Sequence, residues 1–365
     1  MMPAPGSRDD LLARLRLIRT ERVGPVGFRQ LVARFGSASA ALDALPDLAA
    51  RAGGGRLHPC PANVAERELA AIEQLGGRLL CAGLPPYPAL LAAIDDAPPV
   101  LGALGDLRLL DRPVIAVVGA RNASAAGLRL ARTLATELAA AGLAVASGMA
   151  RGVDSAAHEG ALPATIAALA GGLDVAAPPE VAPLQHRLAR DGGLLLAENP
   201  PGTQPQARHF PRRNRIISGL ALGVVVVEAA HRSGSLLTAR LAAEQGRDVM
   251  AVPGSPLDPR AAGPNALIRE GATLVRDAAD VLELVQPFRQ RPAPPAPRLA
   301  DPGPPEAPAE LIERVAALLG PTPVALDALA REAGISGADL AAALTDLELA
   351  GRAERHAGGR VALPA

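Results

Sequence analysis

Short apolar stretches alternate with helical patterns through the middle of the chain. Six stretches of mostly aliphatic residues recur at about 25 to 30 residues per unit, a spacing that leaves room for one helix between strands. They are residues 114–118, 143–146, 165–169, 194–197, 224–227 and 249–252. Strands that alternate with helices predict a parallel sheet with helices on both faces. The pattern therefore predicts a doubly wound, Rossmann-like α/β domain over residues 111–285.

The N-terminal region has a helical pattern instead. Apolar residues recur at helical spacing from residue 10 to 34, and Gly24-Pro25-Val26-Gly27 divides this segment into two helices. Two helices around such a turn are typical of helix-hairpin-helix or SAM-like modules, whose turn amides can hold a DNA phosphate. A module that serves only packing is an equally open interpretation. We assign residues 1–84 to this helical module and residues 85–110 to an extended connector.

A proline-rich linker and a second small domain follow the sheet domain. Nine prolines lie between residues 286 and 309, which predicts a semi-rigid linker over 286–308. Three helical patterns come next, at residues 311–319, 326–333 and 338–349, followed by an extended segment with a Gly358-Gly359 turn. Three helices and a hairpin predict a winged helix over 309–365. Its five arginines and eight acidic residues favour a protein contact or a spacer role over binding in a DNA groove.

The amino-acid composition excludes several reaction mechanisms. All 37 basic residues are arginine, so mechanisms that need a lysine, such as the P-loop clamp or a Schiff base, are excluded. The 37 acidic residues balance them, so any nucleic-acid surface must be a local cluster. Cys60 and Cys81 lack the spacing of a metal site, and neither a signal peptide nor a membrane-spanning stretch is evident. We expect a cytoplasmic protein.

Small residues and arginine follow the first two predicted strands. Gly119 and Arg121 come after the first strand, and the second ends in Ser147-Gly148. Ligands of open parallel sheets lie beyond the carboxyl ends of the strands, where loop amides and a guanidinium suit an anion. The glycine spacing is not that of a dinucleotide fingerprint, and no acidic residue ends the second strand. An NAD-dependent oxidoreductase is therefore disfavoured, and we expect no cofactor.

Asp154 and His158 lie four residues apart on one predicted helix face. Such a pair is conceivable as half of a metal site, but no third ligand is apparent. We favour a structural role, in which Asp154 caps the helix and His158 is hydrogen-bonded, and expect no metal.

The most basic stretch runs from Arg208 to Gly219. It carries four arginines, no acidic residue and the ring of Phe210. Arginines neutralise phosphates, and an adjacent ring can stack on an unpaired base. A solvated helix start is the alternative, although cations at a helix N-terminus oppose the macrodipole unless an anion binds there. Ser233-Gly234-Ser235 opens a later helix and can form an amide nest for phosphate, whereas an ordinary N-cap would explain only one of the two serines.

These motifs, taken in order, strongly resemble the bacterial DNA-processing family called DprA or Smf. They are VGARNAS, SGMARGVDSAAH, GGLD, ENPPGT, RHFPRRNRIISGL, VVVEAAHRSGSLLTARLAAEQGR and AVPGS, and the resemblance is close over about residues 114–280. It implies a homodimeric mediator, not an enzyme. Such a protein binds and protects single-stranded DNA, displaces single-strand binding protein, and loads the RecA recombinase in natural transformation.

The resemblance also implies which residues bind DNA. Phe210 would stack on a base, and Arg208 would replace a lysine common in the family. The candidate DNA-binding residues are Gly119, Arg121, Ser147, Gly148, Arg151, Arg208, Phe210, Arg212, Arg213, Asn214, Arg215, Ser233, Gly234 and Ser235. Leu267 and Ile268 fall in the helix that matches the family's dimer interface.

A nucleotide-binding phosphoribohydrolase of the LOG type is the alternative from another functional class. Glu228 would serve as its acid. The Pro-Gly-Gly-x-Gly-Thr loop of those enzymes is missing, and SGSLLTA stands in its place.

Overall fold

The computed structural model describes residues 4–55, 57–289, 307–356 and 358–364. They divide into two compact units. One unit joins the described residues up to Leu69 with those from 307 onward, and the other contains the described residues from Ala70 to Arg289. None of the described helices combines the length and the apolar character needed to cross a membrane.

The N-terminal part of the described chain is helical, as predicted. Its helices are α1 (Arg8–Arg19), α2 (Pro25–Phe35), α3 (Ala38–Arg51) and α4 (Ala62–Gln74). The hydroxyls of Ser7 and Ser37 accept backbone amides three residues later and cap α1 and α3. Gly36 ends α2 with φ 77°, a conformation that favours glycine. Residues such as Phe28, Leu31 and Leu45 are fully buried between these helices.

A mixed sheet forms the centre of the other unit. Its strands are β1 (Arg78–Cys81), β2 (Val100–Gly105), β3 (Val114–Val118), β4 (Ala144–Ser147), β5 (Thr165–Leu169), β6 (Leu194–Ala197), β7 (Gly223–Val226), β8 (Asp248–Ala251) and β9 (Thr273–Leu274). They lie in the order β1-β2-β6-β5-β4-β3-β7-β8-β9. Every pair among β3 to β9 is parallel, which confirms the predicted Rossmann-like class, and all six predicted strands are present to within one residue.

Helices connect these strands. They are α5 (Ala89–Ala92), α6 (Ala125–Ala140), α7 (Val153–Ala161), α8 (Ala182–Arg190), α9 (His209–Leu220), α10 (Gly234–Glu244), α11 (Ala262–Arg269) and α12 (Ala278–Arg289). A buried core joins α6, α7 and α12 to alternate residues of β3, including Ile115 and Val117. The last residues of α12 lie where the linker was predicted to begin, so the helix continues to Arg289; residues 290–306 of that linker are outside the described ranges.

The sheet begins earlier in the chain than the boundary predicted at residue 111. β1 and β2 lie in segments that we assigned to the helical module and the connector, but β2 pairs antiparallel with β6, with Gly102 opposite Ala197. β2 was not recognised from the sequence because two glycines, Gly102 and Gly105, interrupt its apolar pattern. A Cβ on Gly102 would lie 2.9 Å from Leu173, and one on Gly105 would lie 2.1 Å from the carbonyl oxygen of Gly193. Close packing therefore requires glycine at these two positions, although glycine is uncommon within strands.

The strand order reverses at β3. This strand is buried along its whole length and pairs with β4 on one side and β7 on the other, with Ile115 opposite both Val145 and Gly223. Chain connections leave β3 in opposite directions on its two sides, which opens a crevice at the carboxyl ends of these strands. This topology places the loops after β3, β4 and β7 at one edge.

The C-terminal residues form the predicted winged helix. Its elements are α13 (Ala309–Leu318), β10 (Val324–Ala325), α14 (Leu326–Ala333), α15 (Gly337–Ala350), β11 (Glu354–His356) and β12 (Arg360–Ala362). The three strands pair antiparallel in the order β10-β12-β11. Ser336 caps α15, and Gly351 ends it with φ 72°.

Candidate nucleic-acid interface

The loop after β3 is held close to its neighbours. A Cβ on Gly119 would lie 2.7 Å from Val153 and 2.9 Å from the carbonyl oxygen of Glu228, so only glycine fits. Ser124 caps α6 by accepting the N–H of Gly127 at 2.9 Å, as predicted. Arg121 is exposed between these two fixed points. Its guanidinium carbon lies 5.6 Å from the centre of the Phe210 ring, within cation–π range.

The loop after β4 lies directly against the loop after β3. Gly152 has φ 84°, and a Cβ there would be 2.3 Å from the carbonyl oxygen of Ala120 and 2.6 Å from that of Arg121. Met149 adopts φ 52°, which is uncommon for a residue other than glycine. This conformation leaves Arg151 exposed. Gly152 is the N-cap of α7, so Asp154 lies within the first turn and does not occupy the capping position predicted for it.

Arg213 lies beneath these two loops. It is only 7% exposed, and its Nη1 donates to the carbonyl oxygens of Ala168, at 2.8 Å, and of Gly148. Burial lowers the pKa of Arg213 to about 10, and burial also raises the pKa of the neighbouring Asp154. Arg213 is therefore still charged at neutral pH. Its positive charge lies inside the protein, close to Asp154 and to the carbonyl oxygens of Gly148 and Ala168.

Six of the candidate DNA-binding residues are buried in the DNA-free structure, and their contact with DNA stays a prediction. They are Ser147, Gly148, Arg213, Asn214, Arg215 and Ser235. Arg215 pairs with Glu198 at 2.6 Å and Asp96 at 3.2 Å. The alternative of a solvated helix start does not fit the three of these residues that lie on α9.

Two of these buried side chains join neighbouring elements. The Ser147 hydroxyl donates to the carbonyl oxygen of Val117 at 2.7 Å, which ties β4 to β3. Asn214 donates to the carbonyl oxygen of Gly234 at 3.3 Å, which ties α9 to α10. These two hydrogen bonds hold the elements that carry the candidate site in a fixed arrangement.

The exposed part of the basic stretch surrounds the start of α9. Arg208 and Arg212 are exposed, and neither has an ion pair within the described residues. Burial, and then these two cations, lower the pKa of His209. The first turn of α9 carries no acidic residue. Cations at a helix N-terminus are unfavourable unless an anion binds, so this geometry suits a phosphate.

Phe210 connects the basic stretch to the sheet loops. Its ring is partly buried and lies 5.6 Å from the guanidinium carbon of Arg121 and 5.8 Å from that of Arg213. The structure thus places Arg121, from the loop after β3, beside Phe210 and Arg213 of α9. An aromatic ring beside an exposed arginine can stack on a base while the arginine contacts the backbone.

Ser233, Gly234 and Ser235 open α10 as predicted. Ser233 is the N-cap, and its Oγ lies 2.7 Å from Oγ of Ser235 and accepts the N–H of Ser235 at 3.4 Å. Gly234 is exposed, with open space where a Cβ would be. The two hydroxyls therefore bond to each other, and Gly234 leaves the helix N-terminus open to an anion.

Glu228 has a positioning role in the structure, different from its role as the acid of the alternative enzyme considered above. Its carboxylate accepts the backbone N–H of Ser124 at 2.8 Å and the Ser124 hydroxyl at 2.6 Å. A Cβ on Gly127 would lie 2.6 Å from the carboxyl carbon. Both carboxylate oxygens are engaged at the start of α6, so Glu228 positions the loop that carries Arg121. The acidic residue at the end of a central strand was the available signal.

Of Asp154 and His158, only His158 has the structural role favoured above, because Gly152 and not Asp154 is the N-cap of α7. His158 is fully buried, and its Nδ1 lies 2.7 Å from Oγ1 of Thr165, which itself donates to the carbonyl oxygen of Val145. Nδ1 is therefore the donor of this pair. Burial lowers the pKa of His158 to about 3. In the described part of the chain, no group of three or more His, Cys, Asp or Glu side chains is arranged to hold a metal ion.

The predicted dimer residues lie on α11 beside an exposed apolar loop. Leu267 and Ile268 are partly exposed. Asn265 of the same helix exchanges two hydrogen bonds with the backbone of Gly254, at 2.9 and 3.1 Å, and so fixes the loop between β8 and α11. Leu257 in that loop is 93% exposed. The region therefore presents apolar surface to solvent.

Comparisons with known proteins agree with this architecture. A family model described as DNA recombination-mediator protein A matches residues 78–286. Models described as a DprA-like N-terminal HHH domain and a DprA winged helix domain match residues 8–71 and 292–359. Protein Smf of Escherichia coli (strain K12) is 40% identical over 307 residues, which cover 83% of this chain and 82% of that protein. The DNA processing protein DprA of Bacillus subtilis (strain 168) is 43% identical over 221 residues, covering 60% and 74%.

Solved structures show the same likeness. DprA from Streptococcus pneumoniae matches with a TM-score of 0.57 and 42% identity, over 61% of this chain and 77% of that chain. DprA from Helicobacter pylori, described for its unique single-stranded DNA binding mode, matches with a TM-score of 0.53 and 30% identity, over 56% and 95%. Because the central family model spans more than half of the chain and Protein Smf matches most of both lengths, this chain belongs to the DNA recombination-mediator protein A family, whose members are mediators rather than enzymes.

Proposed function

We propose that this protein binds single-stranded DNA along the carboxyl edge of β3, β4 and β7 and loads RecA onto that strand in natural transformation. One observation carries the proposal. Exposed Arg121 lies 5.6 Å from the centre of the partly buried Phe210 ring, exposed Arg208 and Arg212 stand two residues before and after Phe210 in the chain, and exposed Arg151 lies on the loop that packs against the loop of Arg121. A charged surface with one aromatic ring suits a phosphodiester chain with unpaired bases.

The preference for single strands follows from the ring. In duplex DNA the bases are stacked on each other, and the Phe210 ring could reach one only if the base were unstacked. A single strand can offer a base to Phe210 while Arg121 contacts an adjacent phosphate. The Helicobacter pylori relative, described as a single-stranded DNA binder, supports this choice of substrate.

The working form we propose is a homodimer that displaces single-strand binding protein. The partly exposed Leu267 and Ile268 of α11, together with the exposed Leu257 of the loop before that helix, would form the contact between two chains. A pair of chains would place two basic surfaces on one DNA strand, which raises affinity through effective concentration without new types of contact.

Fluorescence anisotropy with labelled oligo-dT and a matched duplex tests the DNA part of the proposal. We expect tighter binding of the single strand and a steep loss of affinity as the salt concentration rises. Arg240→Ala is a matched control, since Arg240 is an exposed arginine on α10 away from the strand ends. Equal affinity for duplex and single strand, or a salt slope near zero, would contradict the proposal.

A RecA-loading assay tests the mediator part. RecA filament formation is followed on strands already coated with single-strand binding protein, with and without this protein. We expect filaments only when it is present, and fewer with Leu267→Glu, which should also shift the sedimentation coefficient toward that of a single chain. Normal DNA binding without any RecA filament would reject the mediator role and keep the DNA site.

A further inference from the structure

The third helix of the winged helix is covered by the chain's own N-terminal helices. α15 packs against α2 and α3 as well as against α13. The cores of the two parts are shared, because Ala52 lies within the winged-helix core and Leu349 within the N-terminal core. Most of the second half of α15 is buried. In a winged helix, this is the element that usually enters the DNA groove.

Polar contacts fix this packing. Nη1 of Arg34 donates to Oδ1 of Asp346 at 2.9 Å, and their side chains are only 9% and 2% exposed. The Thr345 hydroxyl donates to the side-chain oxygen of Gln30. A buried ion pair with a neighbouring hydrogen bond requires a defined register between α2 and α15, because each group would otherwise be left without a partner in the interior.

Two more arginines reach across the same contact through backbone oxygens. Nη1 of Arg22 donates to the carbonyl oxygen of Leu349 at 3.3 Å, and Nη1 of Arg352 donates to that of Ala52 at 2.9 Å. The backbones also approach closely. A Cβ on Gly54 would lie 2.5 Å from Cα of Ala350, so no larger residue fits there.

We propose that α15 is a protein-docking helix whose partner is the N-terminal helical module of the same chain, and that the winged helix does not read DNA through it. The polar residues that a DNA-reading helix would present, Thr345 and Asp346, are used inside the protein. The surrounding domain carries more acidic residues than arginines, which disfavours phosphates. The contact makes one unit from the two ends of the chain, between which the sheet domain is inserted.

Hydrogen–deuterium exchange on the full-length protein tests the docking. Arg34→Asp and Asp346→Arg each leave a buried charge without its partner, so we expect a loss of protection of about 100-fold in both residues 25–51 and residues 337–350. The double variant that exchanges the two charges should regain much of it. Asp327→Arg, the same charge change at an exposed position of α14, is the control and should leave protection in place.

Each outcome decides the question. Parental protection in both single variants would overturn the docking, as would a loss confined to α15 with residues 25–51 unchanged. If the single variants fail to fold, a second experiment measures the proximity of α3 and the winged helix. A variant with Arg51→Cys and Arg352→Cys is treated with a short bis-maleimide, which joins the two introduced thiols if they are close. Cross-linked peptides from within one chain support the docking, and their absence rejects it. A gain of duplex affinity in Asp346→Arg that Asp327→Arg does not show would mean that α15 is a masked DNA reader.

Discussion

Two adjacent arginines of α9 should respond to the same substitution in opposite ways. Arg212 is exposed and without an ion pair in the described part of the chain, whereas Arg213 is buried among carbonyl groups and Asp154. We predict that Arg212→Ala weakens DNA binding and leaves the fold intact. Arg213→Ala should instead destabilise the fold, and lose DNA binding only as a consequence.

The sizes follow from what each side chain contacts. Arg212 can neutralise one phosphate, so its loss should lower the slope of log affinity against log salt by about 0.7 for a single strand and change the free energy of unfolding by less than about 0.5 kcal/mol. Removing Arg213 leaves the carbonyl oxygens of Gly148 and Ala168 without a donor and Asp154 without its counter-charge. Breaking a buried pair in this way costs about 3–5 kcal/mol.

Two assays separate these outcomes. Urea denaturation followed by circular dichroism reports the stability of each variant, and anisotropy with labelled oligo-dT over a series of salt concentrations reports the slope. Arg213→Lys is a useful companion, because an ammonium keeps the charge but cannot donate to Asn214 from Nε while it also donates to the carbonyl oxygens of Gly148 and Ala168. If Arg213→Ala has parental stability and only a lower salt slope, then Arg213 contacts DNA directly and our assignment of its role is refuted.

Three further variants test neighbouring parts of the site. Phe210→Ala should weaken single-strand binding by about 1–3 kcal/mol per unstacked base with the salt slope kept; a lower slope would mean that the ring only positions Arg121. Glu228→Gln should speed amide exchange at Ser124, because the side-chain NH2 of Gln would face one of the two Ser124 donors that the carboxylate now accepts. We expect the local stability to fall by about 1–3 kcal/mol. An unchanged exchange rate at Ser124 would contradict this. Burial lowers the pKa of His158 from 6.5 to about 3, so the folded chain keeps it neutral while the unfolded chain gains a proton. Stability should fall as the pH drops from 6.5 toward 3, by at most about 1.4 kcal/mol per pH unit from this residue. In urea titrations His158→Gln should have a shallower pH dependence, and a pH dependence equal to the parent's would exclude this role.

The sheet was predictable where strands are buried on both faces. Val114–Val118 is an uninterrupted aliphatic run and Thr165–Leu169 is aliphatic after its first residue; both lie between helical patterns, and their bounds are as predicted. β2 was not predictable in this way, because Gly102 and Gly105 interrupt it and neighbouring backbone and side chains occupy the space of their missing Cβ atoms. Such a requirement arises from tertiary packing, which the local pattern of hydrophobic residues does not contain.

The site was predictable in composition but not in orientation. The density of arginine identified the stretch from Arg208 to Gly219, yet it gave no indication that Arg212 faces solvent while Arg213 and Arg215 face inward. A helix covered on one side leaves its opposite face exposed, but α9 is covered by the sheet, α5 and α10 together. Every residue from Arg213 to Leu220 is buried. Polar residues such as Asn214 in this segment gave no sign that all faces of the helix are covered.

Burial also explains how a chain of zero net charge can bind a polyanion. Several acidic residues of this region already have partners within the protein: Glu198 and the half-exposed Asp96 pair with Arg215, Asp154 lies beside Arg213, and both oxygens of Glu228 are bound at Ser124. The exposed arginines at the same edge are left without such partners in the described ranges. The local field is therefore positive although the sum over the chain is zero, and its strength depends on the buried acids remaining where they are. Replacing one of the buried pairs should disturb DNA binding through the shape of the loops, whereas salt should act only on the exposed set.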